Sequence, residues 1–199
     1  MSDRPTFTVG VTGHRPNRLR LTDAQLVRRY RDTLTALARG ARGARLQAVS
    51  ALAEGADRAF AEAALLCRYE LHAILPFDAR AYEQTFGDTT TVPHYRELLT
   101  RAAQVQELPG SLDASKEAYA AVGEAIVSAS DVIVAVWDGE PAAGKGGTPD
   151  VIEVALSAGR PVIWIDAHGR RPRRLLLPPK SDRSLSLAIY KGRGRPLTP

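Results

Sequence analysis

The stretch Asp131-Val132-Ile133-Val134-Ala135-Val136-Trp137 is apolar at every position after its first. A strand with one face in water alternates polar and apolar residues. An unbroken apolar run belongs instead to a strand covered on both faces, as in a parallel sheet flanked by helices. Pro161-Val162-Ile163-Trp164-Ile165 repeats the pattern, and shorter β-rich runs occupy residues 7–12, 46–50 and 71–75. Helical patterns lie between them. Thr22 or Asp23 can cap a helix carrying Leu26, Tyr30, Leu34 and Leu37 on one face. Gly55-Ala56 opens an alanine-rich helix, residues 115–128 read as another, and a last one starts at Thr148. Alternating strands and helices predict βαβ units, and the expected fold is a Rossmann-like α/β three-layer sandwich with a mainly parallel sheet and helices on both faces. Residues 77–103 are less regular: amphipathic pieces at 79–85 and 95–103 flank Gly87-Asp88-Thr89-Thr90-Thr91, and a short strand is expected at 105–108.

With 199 residues, 44% apolar and 25% charged, the chain suits one domain with a core that needs no staples. Its one cysteine, Cys67, excludes an intrachain disulfide and a cysteine-built zinc site. No signal-like apolar run opens it and none reaches the ~18 residues of a membrane span, so no membrane partner and a cytoplasmic location are expected. The net charge of +5 is unevenly placed: nine of the 27 Lys and Arg, but one of the 22 acids, lie from residue 167 onward. A domain at 1–167 followed by a basic, Pro- and Arg-rich tail at 168–199 is the expected division. Residues 167–183 read as linker and 185–190 as an edge strand. The tail is a candidate contact for nucleic acid, although it forms no recognisable reading helix.

In open α/β sheets ligands sit beyond the carboxyl ends of the strands, near the point where strand order reverses. Three loops of this chain fall there. In Gly13-His14-Arg15-Pro16 the glycine permits a tight turn, and Arg15 offers a fixed positive fork suited to phosphate or carboxylate. In the second loop Ser50, Ala53, Glu54, Gly55 and Asp57 run into a helix start whose free amides attract anions, while the two acids suit sugar hydroxyls or helix capping. The third starts at Asp138, itself a candidate ligand contact, and contains Gly144-Lys145-Gly146-Gly147-Thr148-Pro149-Asp150, a phosphate cradle by mechanism but without the Gly-Lys-Ser/Thr order of a nucleotide triphosphatase. The first loop also lacks Gly-x-Gly-x-x-Gly, which disfavours a dinucleotide hydride-transfer enzyme. The four histidines are scattered, so no metal site is expected. Ser50 has no evident His–Asp partners, and Trp137 and Trp164 read as core.

Val11-Thr12-Gly13-His14-Arg15, the 50–57 loop, 131–139 and Gly146-Gly147-Thr148 together resemble the SLOG superfamily, which includes Lonely Guy phosphoribohydrolases, Smf-type DNA-processing proteins and TRPM-type ligand-sensing domains. The resemblance spans residues 7–166 and implies binding of a nucleotide or nucleotide-derived ligand, as a sensor or accessory protein, with no cofactor. It also implies self-association as a homo-oligomer. An alternative is N-glycosidic cleavage of a nucleoside 5′-monophosphate, and a third reading is Smf-like single-stranded DNA binding. The Lonely Guy catalytic glutamate falls three residues after the threonine of its motif, where this chain has Val151. Asp150 and Glu153 are the nearest carboxylates and the expected catalytic candidates. A two-residue offset turns Glu153 by about 200° around a helix.

Overall fold

The computed structural model describes residues 4–141 and 146–179. Seven strands form one sheet in the order β4-β3-β2-β1-β5-β6-β7. They are β1 (Thr6–Gly13), β2 (Arg45–Ser50), β3 (Glu70–Leu75), β4 (Gln104–Glu107), β5 (Val132–Trp137), β6 (Val162–Asp166) and β7 (Arg174–Leu176). All neighbours pair in parallel except β7, which runs antiparallel to β6. The helices are α1 (Asp23–Gly40), α2 (Ala56–Leu66), α3 (Ala79–Glu83), α4 (Val92–Arg101), α5 (Ser115–Ala129) and α6 (Thr148–Ser157). This is the Rossmann-like sandwich expected from the alternation of runs.

The two most apolar runs become the inner strands β5 and β6, buried along essentially their whole length. Period-two geometry sends alternate residues to opposite faces. Val132, Val134 and Val136 join one core, with Leu26, Tyr30, Leu34 and Phe60 of α1 and α2. Ile133 and Ala135 join the other, beneath Val122, Ile126, Val151 and Ile152 of α5 and α6. Thr22 starts α1 with a reciprocal capping box to Gln25.

After β1 the chain moves by way of α1 to β2 on one side, whereas β5 lies on the other. The β1/β5 boundary is therefore the switch point, and the loops after both strands open there. Gly13 makes this junction close, because a Cβ at that position would overlap the Ala56 methyl and press on Val136.

The 77–103 segment orders around aromatic packing. Phe77, Tyr82, Phe86 and Tyr95 meet edge to face at centroid distances of 5.0–6.0 Å. The Arg58 guanidinium lies 4.3 Å from the Phe86 ring centroid and donates to the carbonyls of Leu52 and Thr91. Such contacts between residues distant in sequence leave no periodic signal. One expectation needs correction: the stretch read as linker at 167–183 supplies β7. Asp166 orders the turn before it by accepting from the amides of His168, Arg170 and Arg171. The expected edge strand at 185–190 lies outside the described residues. Among the described residues no helix is long and apolar enough to cross a membrane.

Candidate functional site

A pocket of about 330 Å³ opens at the switch point, near the lower end of the range for small-molecule sites. Its walls include Gly13, His14, Arg15, Ala53, Asp57, Gly146, Gly147 and Thr148, so parts of all three loops converge. Asn17, Arg18, Tyr119 and Gly123 also line it and were not singled out from the sequence. Arg18 carried one signal, lying three residues after Arg15. Tyr119 is the only aromatic residue of α5, and it sits beneath Arg15, whose guanidinium carbon is 5.8 Å from its ring centroid.

The loop after β1 is built around His14. Its amide donates to the Val136 carbonyl and its carbonyl accepts from the Ala56 amide, tying β5, β1 and α2 together. The ring is buried, with Nε2 2.9 Å from Asp138 Oδ1 and Nδ1 3.4 Å from Thr148 Oγ1. Asp138 also accepts a two-pronged contact from Arg18, both distances 2.8 Å, and the Glu140 amide. Burial alone would raise the Asp138 pKa, but the Glu140 amide, His14 and Arg18 outweigh it and hold it at about 2. An ionised carboxylate only accepts, so the close Nε2 atom carries the hydrogen although the Asp138 amide lies 3.2 Å away. Nδ1 of the neutral ring then presents its lone pair to the Thr148 hydroxyl. Burial lowers the His14 pKa, only partly offset by Asp138.

Arg15 stands at the rim, about one-third exposed, with Nη1 donating to the Thr85 carbonyl at 2.9 Å. Among the described residues, its side-chain hydrogen bonds all come from Nη1. This leaves the rest of the fork for an anionic group.

The acids take different roles. Asp57 is the only carboxylate among the described wall residues and is 6% exposed. Burial raises its pKa to about 7, against the pull of the Ala53 and Ala51 amides and of Arg15 and Arg58. Glu54 lies outside the wall, where it accepts from the Gly87 and Asp88 amides, the Thr91 hydroxyl and Arg15. It thus straps residues 87–91 to the second loop. Glu54→Ala is expected to accelerate amide hydrogen exchange at Gly87 and Asp88 by about tenfold or more, from the loss of about 1.5–3 kcal/mol of charged hydrogen bonding. Unchanged protection of those two amides would show that the aromatic cluster alone holds the segment.

Ser50 is fully buried and braces the loop, accepting from the Leu52 amide and donating to the Asp57 carbonyl. Gly55 has φ +86° and turns the chain into α2 beneath the pocket. The two catalytic candidates are not on the wall. Asp150 Oδ2 accepts from the Gly146 and Gly147 amides at 2.8 and 3.3 Å, reaching back from the N3 position of α6 to its N-cap. Glu153 is exposed on the outer side of α6, as its rotation around the helix requires. Asp150 also supplies the amides of this cradle with an anion of the protein's own. Gly144 and Lys145 lie outside the described residues. Among the described residues no group of three His, Cys, Asp or Glu is arranged to hold a metal ion.

No protein-family model matches the sequence, and no curated protein does. Solved structures do. DNA processing protein A from Streptococcus pneumoniae superposes with a TM-score of 0.54 at 18% identity, over 80% of this chain and 50% of that one. The protein TM1055 gives 0.51 at 14% identity, over 79% and 73%. DNA processing protein A from Helicobacter pylori, reported with its single-stranded DNA binding mode, gives 0.51 at 17% identity, over 80% and 65%. The chain spans half the length of the pneumococcal protein. These likenesses concern the fold.

Proposed function

We propose that this chain, whose fold is of the SLOG type, binds a nucleotide-derived small molecule in the switch-point pocket, as a sensor or accessory protein. The observation that carries this reading is the convergence of Arg15, Tyr119, His14, Thr148 and Asp57 on one cavity. Arg15 takes an anionic group, and Tyr119 offers an aromatic face close by. Asp57 and the Thr148 hydroxyl suit ribose hydroxyls. Asp150 already occupies the Gly146 and Gly147 amides, so the phosphate contact falls to Arg15 rather than to the α6 cradle.

Arg15→Gln keeps a donor for the Thr85 carbonyl but removes the charge. It is expected to weaken binding of a nucleoside monophosphate by about tenfold or more, the worth of one charge-assisted pair, while leaving the unphosphorylated nucleoside within about twofold. Titration calorimetry of both ligands on both proteins checks this. Equal losses for the two ligands would take the phosphate away from Arg15.

A further inference from the structure

The segment from Thr85 to Thr91 is tied to the pocket side of the molecule by three side chains. Arg15 Nη1 donates to the Thr85 carbonyl at 2.9 Å. Glu54 accepts from the Gly87 and Asp88 amides at 2.9 and 3.2 Å. Arg58 Nη1 donates to the Thr91 carbonyl at 3.0 Å. Arg15 stands in the first loop, Glu54 in the second and Arg58 in the first turn of α2, so all three ties start from elements around the pocket. A further connection is aromatic. Arg15 sits over Tyr119 on the wall, the Tyr119 and Tyr82 ring centroids are 6.5 Å apart, and Tyr82 meets Phe86 of the strap edge to face at 5.2 Å. The outer side of the strap is open to solvent at Gly87, Asp88, Thr89 and Thr90.

Resting on the binding reading above, we infer that residues 85–91 are the output element of the pocket: an anionic group bound at Arg15 holds this strap closed. Arg15 belongs to both. Among the described residues its side-chain hydrogen bonds all come from Nη1, so the planar guanidinium can serve the strap carbonyl with one edge and a phosphate with another. Fixing a long side chain costs conformational entropy. With the strap closed, Thr85 has already fixed the fork and the anion meets it ordered; with the anion bound, the fork is fixed for Thr85. Such coupling is reciprocal: the factor that the closed strap adds to the affinity for the anion, the anion adds to closure of the strap. One immobilised arginine sets that factor at about threefold to tenfold.

The other two ties decide the sign and the place of the movement. Glu54 Oε2 is 3.4 Å from Arg15 Nη1, a long contact, so an anion that draws on Arg15 takes little from Glu54, which keeps its amide donors. Arg58 is only 4% exposed and lies 4.3 Å from the Phe86 ring centroid, which makes the Thr91 end a fixed anchor. The Thr85 end, held from the half-exposed rim by Arg15, is the variable one. Between them Asp88 accepts from both the amide and the hydroxyl of Thr90, so the exposed turn keeps its own shape as the strap opens. Opening of a short surface segment costs less than unfolding of the domain, and the exchange rates of its amides report it separately.

The test measures amide hydrogen exchange of the full chain, alone and with adenosine, guanosine, cytidine or uridine and their 5′-monophosphates, with thermal shift read on the same samples. A nucleotide that gives a shift is expected to slow exchange at Gly87 and Asp88 by about threefold to tenfold, and its nucleoside to leave those rates within about twofold. The Ala44 amide, which donates to Ala41 in the turn after α1 at the far end of the strands, should not respond. Without any ligand, Arg15→Ala is expected to speed exchange at Gly87 and Asp88 by about threefold or more, from loss of the Thr85 bond, with Ala44 unchanged. Thermal shift with exchange at the strap unchanged or faster would overturn the coupling and leave the binding reading standing. Equal slowing by the nucleoside, or at Ala44, would overturn it too, since the anion at Arg15 would then not be its source. Unchanged exchange in Arg15→Ala would take Arg15 away from the strap and the coupling with it. No shift with any nucleotide would overturn the binding reading and the coupling together.

Discussion

Asp138→Ala is expected to remove about 2–4 kcal/mol of folding stability. Breaking a buried ion pair from one side costs about 3–5 kcal/mol, because a charge is left without its partner. The lower range applies here since Arg18 is 27% exposed and water recovers part of its solvation. His14 Nε2 and the Glu140 amide lose the same acceptor. Asp138→Asn keeps the shape and an acceptor oxygen, so it should cost less than half as much. Urea unfolding of the two variants beside the wild type checks this. The pH dependence has a definite sign. The carboxyl pKa is depressed to about 2 in the fold, so the stabilisation is present above the ordinary aspartate value near 4 and fades as the pH falls through about 2. An alanine variant as stable as the wild type at neutral pH would mean that Arg18 and His14 are held by packing alone.

Asp57→Asn should act in the opposite direction along the pH axis. The native carboxyl has its pKa raised from 3.8 to about 7. The fold therefore favours the protonated form. Its full stabilisation is present below about pH 4 and is lost as the pH rises through about 7. Each pKa unit corresponds to about 1.4 kcal/mol, so wild-type stability falls on the order of 4 kcal/mol relative to an uncharged isostere between those limits. The asparagine variant should gain on the wild type by that order between about pH 4 and pH 8. Paired denaturant titrations across the range give the difference directly, other titrations cancelling between the two proteins. A difference that stays flat with pH would show that Arg15 and Arg58 hold Asp57 ionised throughout.

Both residues show how far the sequence was legible. The sheet was readable because burial on both faces imposes an unbroken apolar run, and β5 and β6 carry it. The loops that meet at the pocket were readable because they follow strand ends at the switch point and carry glycine, small residues and a fixed charge there. Gly13, His14, Arg15, Ala53, Asp57, Gly146, Gly147 and Thr148 met at one pocket accordingly. The direction of each carboxylate was not readable. Glu54 and Asp57 are three residues apart on the same loop and helix start, yet one straps the 87–91 turn and the other enters the pocket. The difference comes from amides supplied by a segment more than thirty residues away, which no local pattern encodes. Asp150 is turned to the amides of its own helix start, and the sequence alone does not say whether such a carboxylate faces the pocket or caps its helix. The Arg58 aromatic cluster and β7 likewise depend on partners from other parts of the chain.

Nucleotide binding in the switch-point pocket stands or falls with phosphate recognition by Arg15. The most direct measurement is thermal shift of the wild-type chain against matched pairs of nucleosides and their 5′-monophosphates, with ADP-ribose and cyclic nucleotides beside them, repeated on Arg15→Gln. The expected result is stabilisation by at least one phosphorylated member, weaker stabilisation by its nucleoside, and loss of that difference in the variant. Stabilisation by none of these ligands, or a phosphate preference that survives Arg15→Gln, would contradict it.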